Sequence, residues 1–408
     1  MAVLLSAQTV HAQDATGTWN GVLKVETVQL RVVFHISRSG NTYSATMDSP
    51  DQGAKGIPLT NTSIDGSKVM LSIPSANISY EGVIKDGNTM EGKFVQGARS
   101  IDLVLVKEKA DMIASADAAM NAEDLVLHTR TGDISGTLNT PKQFSRGPVV
   151  LFIAGSGPTD RDGNQAELET NAYKKTASEL AKNNIATLRY DKRGVSASIP
   201  AIGAEADMRF EDYVNDAGEW IALLKKDKRF SEVVVAGHSE GSLVGMIAAK
   251  DAAKFISIAG AGRPLDMVLK EQMSVMPQDV KTVFYSLIDS LKQGYAVHNP
   301  QPQLEPLLRS SVQPYLISLF KYHPQEEIKK LRIPVLIVQG TSDMQVSVTD
   351  AELLAKAKPD AQLKLISGMN HVLKIVKDQG ENMRSYSDPS FPVAPELVET
   401  LVKFILGR

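Results

Sequence analysis

Val233-Val-Val-Ala-Gly237-His238-Ser239-Glu240-Gly241-Ser-Leu-Val-Gly245 decides how this chain is read. Four apolar residues without alternation make a strand buried on both faces. The stretch from Ser242 to Lys250 then has helical spacing. Between strand and helix stands G-x-S-x-G. Glycines flank the serine because so sharp a turn brings its backbone against its neighbours. The helix that follows offers free amides toward a developing oxyanion. A strand–turn–helix setting is what the motif needs if Ser239 is to be a nucleophile. The plain alternative is a loop with a capping serine.

Further compact runs accompany this one: Val149–Ile153, Ile185–Leu188, Phe255–Ile258 and Pro334–Val338. Most end in glycine, and helical segments such as Glu211–Lys226 lie between them. Strands alternating with helices mean an α/β fold with a mostly parallel sheet covered on both faces. Leu125 to Leu138 reads as a hairpin turning at Thr131-Gly132-Asp133. Active sites of such sheets lie at the carboxyl ends of the strands, so the chemistry belongs just after these runs.

Serine is a weak nucleophile and needs a base. Of seven histidines, His298, His323 and His371 lie downstream of the motif. His371, in Ser367-Gly-Met-Asn-His371, follows the run Leu363–Ile366 and has the address of a strand-end loop. The base needs a carboxylate to fix its tautomer. Asp343 follows Pro334–Val338 through Gly340-Thr-Ser-Asp343. Asp350 is the rival, but it stands near a helix start, where an acid serves the dipole. Glu240 should give one oxyanion donor through its amide. The second should come from Gly155-Ser156-Gly157-Pro158, with the amide of Ser156 first and that of Gly157 as the alternative; Gly155 and Gly157 let substrate approach the backbone. That loop lacks the spacings of a phosphate cradle. Asp160, Arg161 and Asp162 read as a bracing network, and Arg189 to Gly194 as structural.

The interval 263–330 is too long for one crossover and reads as an inserted helical cap. Its Met273 and Met276 are candidates for lining a substrate pocket, or else belong to the cap's own core. Residues 14–108 carry short β-type runs, among them Leu30–Ile36, Val69–Ile73 and Ile101–Val106, split by turn signals such as Asp65-Gly-Ser67. They predict a small all-β domain, an antiparallel sandwich or barrel. Residues 109–121 read as a linker, and 122–408 as the catalytic domain.

A net charge of −3 from 44 basic and 47 acidic residues leaves no excess to neutralise phosphates, which argues against a nucleic-acid partner. The chain of 408 residues has no cysteine, so thiolate chemistry and disulfides are excluded. No cluster has metal-ligand spacing, and neither metal nor cofactor is expected. No stretch reaches the roughly 20 apolar residues of a spanning helix. Residues 1–13 end in Val10-His11-Ala12, a small-x-small pattern like a signal-peptidase site, which predicts a periplasmic or secreted protein. The oligomeric state is left open.

Taken together, the Gly155-Ser-Gly-Pro loop with its Asp160-Arg-Asp-Gly-Asn164 tail, Asp191-Lys-Arg-Gly194, the elbow from Gly237 to Gly241, Gly340-Thr-Ser-Asp343 and Asn370-His371 resemble the bacterial α/β-hydrolases of the serine-aminopeptidase-like group. The chain is similar in particular to esterases with an extra N-terminal domain. The resemblance spans about residues 122–408. It implies hydrolysis of short to medium acyl esters, a small-molecule substrate, a helical cap and no cofactor. Where many lipases have His-Gly-Gly, this chain has Ala154-Gly-Ser156, so the choice between Ser156 and Gly157 stays open. The same triad would serve a serine aminopeptidase, which needs a carboxylate for the free amine; Glu271, Asp279, Asp289 and Glu305 lie in the cap interval. A binding protein on an inactive hydrolase scaffold is the reading from another class, and the intact Ser–Asp–His set argues against it.

Overall fold

A computed structural model describes residues 15–25, 28–40, 42–49, 54–107, 120–165, 168–298 and 300–408. The chain divides into two compact units between 115 and 116. Residues 1–13, read above as a signal-peptide remnant, and 109–119 of the expected linker lie outside the described residues.

Among the described residues the first unit holds nine strands: β1 (Gly17–Val25), β2 (Val28–Ser39), β3 (Thr42–Ser49), β4 (Ala54–Pro58), β5 (Asn61–Asp65), β6 (Lys68–Ile73), β7 (Ile78–Ile84), β8 (Thr89–Gln96) and β9 (Arg99–Lys107). They form one sheet in the order β4-β3-β2-β1-β9-β8-β7-β6-β5. Period-two alternation gives this sheet one apolar face: in β9, Leu103 and Leu105 are buried while Val104 and Val106 are exposed. A single sheet with one apolar face must curl to bury it. Accordingly β3 and β5 approach one another, Leu59 N donates to Ala45 O at 2.9 Å, and Trp19, Phe34 and Tyr80 share one core.

The second unit is built on eight strands: β10 (Met120–Thr129), β11 (Gly132–Pro141), β12 (Gly147–Ile153), β13 (Ala186–Tyr190), β14 (Phe230–His238), β15 (Lys254–Ile258), β16 (Val335–Gly340) and β17 (Gln362–Ile366). Their order is β10-β11-β13-β12-β14-β15-β16-β17. β10 and β11 form the expected hairpin, and β11 meets β13 antiparallel; every later pairing is parallel. The hairpin's first strand begins at Met120, so the last residues of the expected linker already belong to the sheet. Two cores cover the two faces, and β12 shows why its sequence lacks alternation: Val149, Leu151 and Ile153 enter one core, Val150 and Phe152 the other. This is the α/β-hydrolase sheet.

Helices α1 (Ala172–Ala181), α2 (Phe210–Lys226) and α3 (Glu240–Ala248) make the crossovers from β12 to β15. Among the described residues, five α-helices lie between β15 and β16: α4 (Leu265–Gln272), α5 (Gln278–Lys292), α6 (Glu305–Leu308), α7 (Gln313–Leu319) and α8 (Pro324–Lys330). Val280, Phe284, Ile288 and Leu291, on one stripe of α5, anchor an apolar cluster of the insertion's own. The chain closes with α9 (Val348–Ala357), α10 (Gln379–Ser385) and α11 (Pro395–Leu406).

Candidate active site

Ser239 sits between the last residue of β14 and the first of α3, with φ 54° and ψ −122°. A non-glycine residue pays about 1–3 kcal/mol for such a conformation, so its surroundings must enforce it. Ser239 N donates to Ile258 O at 2.9 Å, and Ser242 N to Ser239 O at 3.0 Å. The motif's glycines are steric requirements: a Cβ on Gly237 would strike the Gly241 backbone, and one on Gly241 the Ile153 carbonyl. The turn therefore presents the serine at the carboxyl edge of the sheet. Its hydroxyl makes no hydrogen bond among the described residues, and catalytic bonds of this kind are often long until substrate is bound.

Asp343 follows β16 and His371 follows β17. His371 Nδ1 donates to Asp343 Oδ2 at 2.8 Å, with both side chains buried. Gln339 Nε2 donates to the same oxygen at 3.0 Å, and the amides of Gln345 and Val346 donate to Oδ1 at 2.8 and 2.9 Å. Burial alone would push this carboxyl up. The nearby His371, its hydrogen bond and the two amides outweigh burial and hold the carboxyl below the ordinary range. With Nδ1 donating to the carboxylate, Nε2 is the ring nitrogen left to accept a proton. Asp350 is occupied elsewhere: it accepts from the amides of Gly262 and Arg263, the Arg263 guanidinium and Ser347 Oγ. His298 and His323 are exposed.

The loop from Gly155 to Asn164 runs beside the nucleophile: a Cβ on Gly155 would lie 3.0 Å from Ser239 Cβ. Gly157 has φ +73°, a conformation that favours glycine. The Ser156 amide has no acceptor among the described residues. Glu240 is the first residue of α3, where an amide has no partner within the helix. The charged residues behind the loop brace it. Arg161 Nη2 meets Asp191 Oδ2 at 2.7 Å, and its Nη1 donates to Thr137 Oγ1 at 2.8 Å. Arg189 pairs with Asp162, and Arg193 with Asp216.

Two residues that sequence reasoning did not single out tie these loops together. Tyr173, on α1, donates from its hydroxyl to His238 Nδ1 at 2.8 Å, and accepts from Gly155 N at 3.4 Å. His238 Nε2 donates to the His371 carbonyl at 2.8 Å. Burial, and then the neighbouring His371, push the His238 imidazole down to about 3, so it stays neutral. One chain of hydrogen bonds thus joins the Gly155 loop, the elbow and the loop of His371. Only the histidine inside the motif hinted at it in the sequence. Met273 and Met276 are partly buried and pack against the insertion's own apolar cluster.

Residues 168–306 match the family profile "Serine aminopeptidase, S33". This match includes Ser239 and stops before Asp343 and His371. Esterase EstD of Thermotoga maritima is 27% identical over 255 residues, covering 59% of this chain and 58% of that protein. The chain therefore matches little more than half the length of this relative. Among solved structures, Est1E of Butyrivibrio proteoclasticus is 17% identical and covers 70% of this chain and 98% of its own, with a TM-score of 0.46. The esterase Pf2001 of Pyrococcus furiosus is 13% identical, covers 71% and 94%, and gives 0.44.

Proposed function

We propose that this α/β-hydrolase, similar to the serine-aminopeptidase group, is a serine hydrolase that cleaves carboxylic esters with Ser239 as nucleophile, His371 as base and Asp343 as its orienting acid. The observation that carries the reading is the buried His371–Asp343 hydrogen bond at the ends of β17 and β16, combined with the strained serine at the end of β14. Ser239 Oγ attacks the acyl carbonyl while His371 Nε2 takes its proton. The amides of Ser156 and Glu240 receive the oxyanion. Collapse of the tetrahedral intermediate expels the alcohol, which takes the proton from His371, and leaves an acyl-serine. Water, deprotonated by His371, then releases the acid and restores the serine. No step needs a metal or cofactor.

The substrate class we propose is short to medium acyl esters. EstD, named an esterase, supports the bond type. The insertion between β15 and β16 reads as a cap, and Tyr315 on α7 supports this. Its ring lies 5.7 Å from Tyr213, and the Glu240 carboxylate is close enough to push its phenol up further than burial does alone. A cap walls the acyl pocket and penalises long chains.

The S33 match favours a second reading, an aminopeptidase. Of four acids in the cap interval, Glu271 pairs with Arg263 and Asp289 with Lys270, while Asp279 and Glu305 are exposed. Rates on p-nitrophenyl acetate, butyrate, hexanoate and palmitate, set against aminoacyl anilides, test both. The esterase reading expects kcat/KM to peak near butyrate or hexanoate; a preference for anilides over every ester would install the peptidase. We also propose a periplasmic or secreted location, supported by the cysteine-free composition. Fractionation of the source cell tests it, and recovery in the cytosol alone would reject it.

A further inference from the structure

We propose that Lys192 is a positioning residue of the oxyanion hole, fixing the Gly155–Ser156 peptide and the Glu240 side chain with one buried ammonium. The inference rests on the oxyanion assignment above. Lys192 lies just past β13, in Asp191-Lys-Arg-Gly194, and its side chain is 3% exposed. Its Nζ donates to Gly155 O at 2.5 Å and stands 4.0 Å from Glu240 Oε1. The face of the Tyr213 ring is 5.0 Å away.

The geometry gives this arrangement a consequence for the chemistry. Gly155 C=O and Ser156 N–H belong to one planar trans peptide and point in opposite directions. Holding the carbonyl therefore fixes where the amide points. A charge-assisted bond to that oxygen also draws electron density through the peptide and makes its N–H a stronger donor. Tyr173 tethers the other side of Gly155 by accepting from its amide at 3.4 Å. Glu240 supplies the second candidate donor, and its carboxylate, 7% exposed, faces the same ammonium. Both donor residues are thus referred to one cation. Burial lowers the lysine's affinity for its proton, and Glu240 opposes that loss. For stability alone, a well-packed apolar side chain would serve as well as a buried ion pair. An apolar side chain can neither aim nor polarise the peptide, whereas a cationic donor does both.

The test uses the full chain, p-nitrophenyl butyrate as substrate, and an aryl trifluoromethyl ketone, whose serine adduct carries a stable oxyanion. Lys192→Met is expected to lower kcat about 10–100-fold while KM stays within about threefold, and to weaken the ketone by the same factor as kcat/KM. Lys192→Arg should recover part of both losses, because a guanidinium can donate to the same carbonyl. Glu240→Gln should lose about 3–10-fold in both. If Lys192→Met does not fold, these two variants carry the comparison: parallel losses in kcat and ketone affinity support the role. Ketone affinity within twofold of wild type, or a loss confined to KM, overturns it. An inactive Ser239→Ala beside a wild-type-like Lys192→Met rejects this inference and leaves the triad standing. A Ser239→Ala variant with full activity rejects the triad, and this inference with it.

Discussion

His238 Nε2 donates to the main-chain carbonyl of His371 at 2.8 Å, so the residue ahead of the nucleophile holds the loop of the base. A carbonyl accepts only, which fixes the tautomer: Nε2 carries the hydrogen and Nδ1 receives the Tyr173 hydroxyl. The elbow and the base loop are therefore tied together by this bond. A neutral imidazole is required for both bonds.

That requirement predicts an acid sensitivity. The unfolded chain protonates His238 below about 6.5, whereas the folded chain resists until about 3. Protons thus bind the unfolded state preferentially across this window. Stability from this group is complete above pH 6.5 and is lost progressively as pH falls toward 3. Urea midpoints across pH 4–8 should fall on acidification, and fall less steeply in His238→Gln, which keeps a donor without the titration. Equal slopes for the two proteins would rule out His238 as a source of acid lability.

The two aspartates should separate cleanly. Asp343→Asn should lower kcat about 10⁴-fold, because the imidazole loses its tautomer and its counter-charge. Asp350→Asn should keep kcat within a few-fold and lose about 1–3 kcal/mol of stability, since it serves Arg263 and the turn at Gly262. Steady-state kinetics and denaturant titration read the two effects. The reverse pattern would reassign the acid.

Strand-end loops carry Ser239, Asp343 and His371 and made them legible in the sequence: Ser239 and Asp343 follow uninterrupted apolar runs, Val233–Ala236 and Val335–Val338, whose side chains divide between the two cores, whereas the run before His371 is broken by Lys364 and only its Ile366 is buried. The same logic located the hairpin and the helical insertion. What stayed hidden depends on residues distant in sequence. Nothing near Tyr173 signals that it meets His238, 65 positions away. In the sequence Lys192 reads as structural with the rest of Arg189–Gly194; only the fold brings Gly155 and Glu240 to it. Met273 and Met276 have the spacing of pocket and core alike, and periodicity does not distinguish the two.

Their placement against the insertion's own core has a measurable consequence. Met273→Ala and Met276→Ala should each cost about 1–2 kcal/mol of stability through lost packing. The acyl-chain profile from acetate to hexanoate should keep its shape. A shift of the preferred chain by two or more carbons would return these methionines to the pocket.

Two units with separate cores predict separable folding. A chain beginning at residue 116, which retains the whole of β10, should fold cooperatively and keep esterase turnover within about tenfold. Beginning instead at Ala122 removes the first residues of that strand, including buried Met120, and should lower stability. Circular dichroism and p-nitrophenyl butyrate assays decide. A folded 116–408 chain without turnover on any small ester would assign the β unit a part in the site.

The most direct test of the whole account is where an organophosphate lands. Incubation with diethyl p-nitrophenyl phosphate, followed by peptide mass spectrometry, should find one diethylphosphoryl group per chain, on Ser239, formed in step with the loss of activity. His371→Ala should slow its formation by several orders of magnitude. Full inactivation with the adduct on another residue, or a Ser239→Ala variant that still turns over esters and still labels, would contradict the assignment of Ser239 as nucleophile.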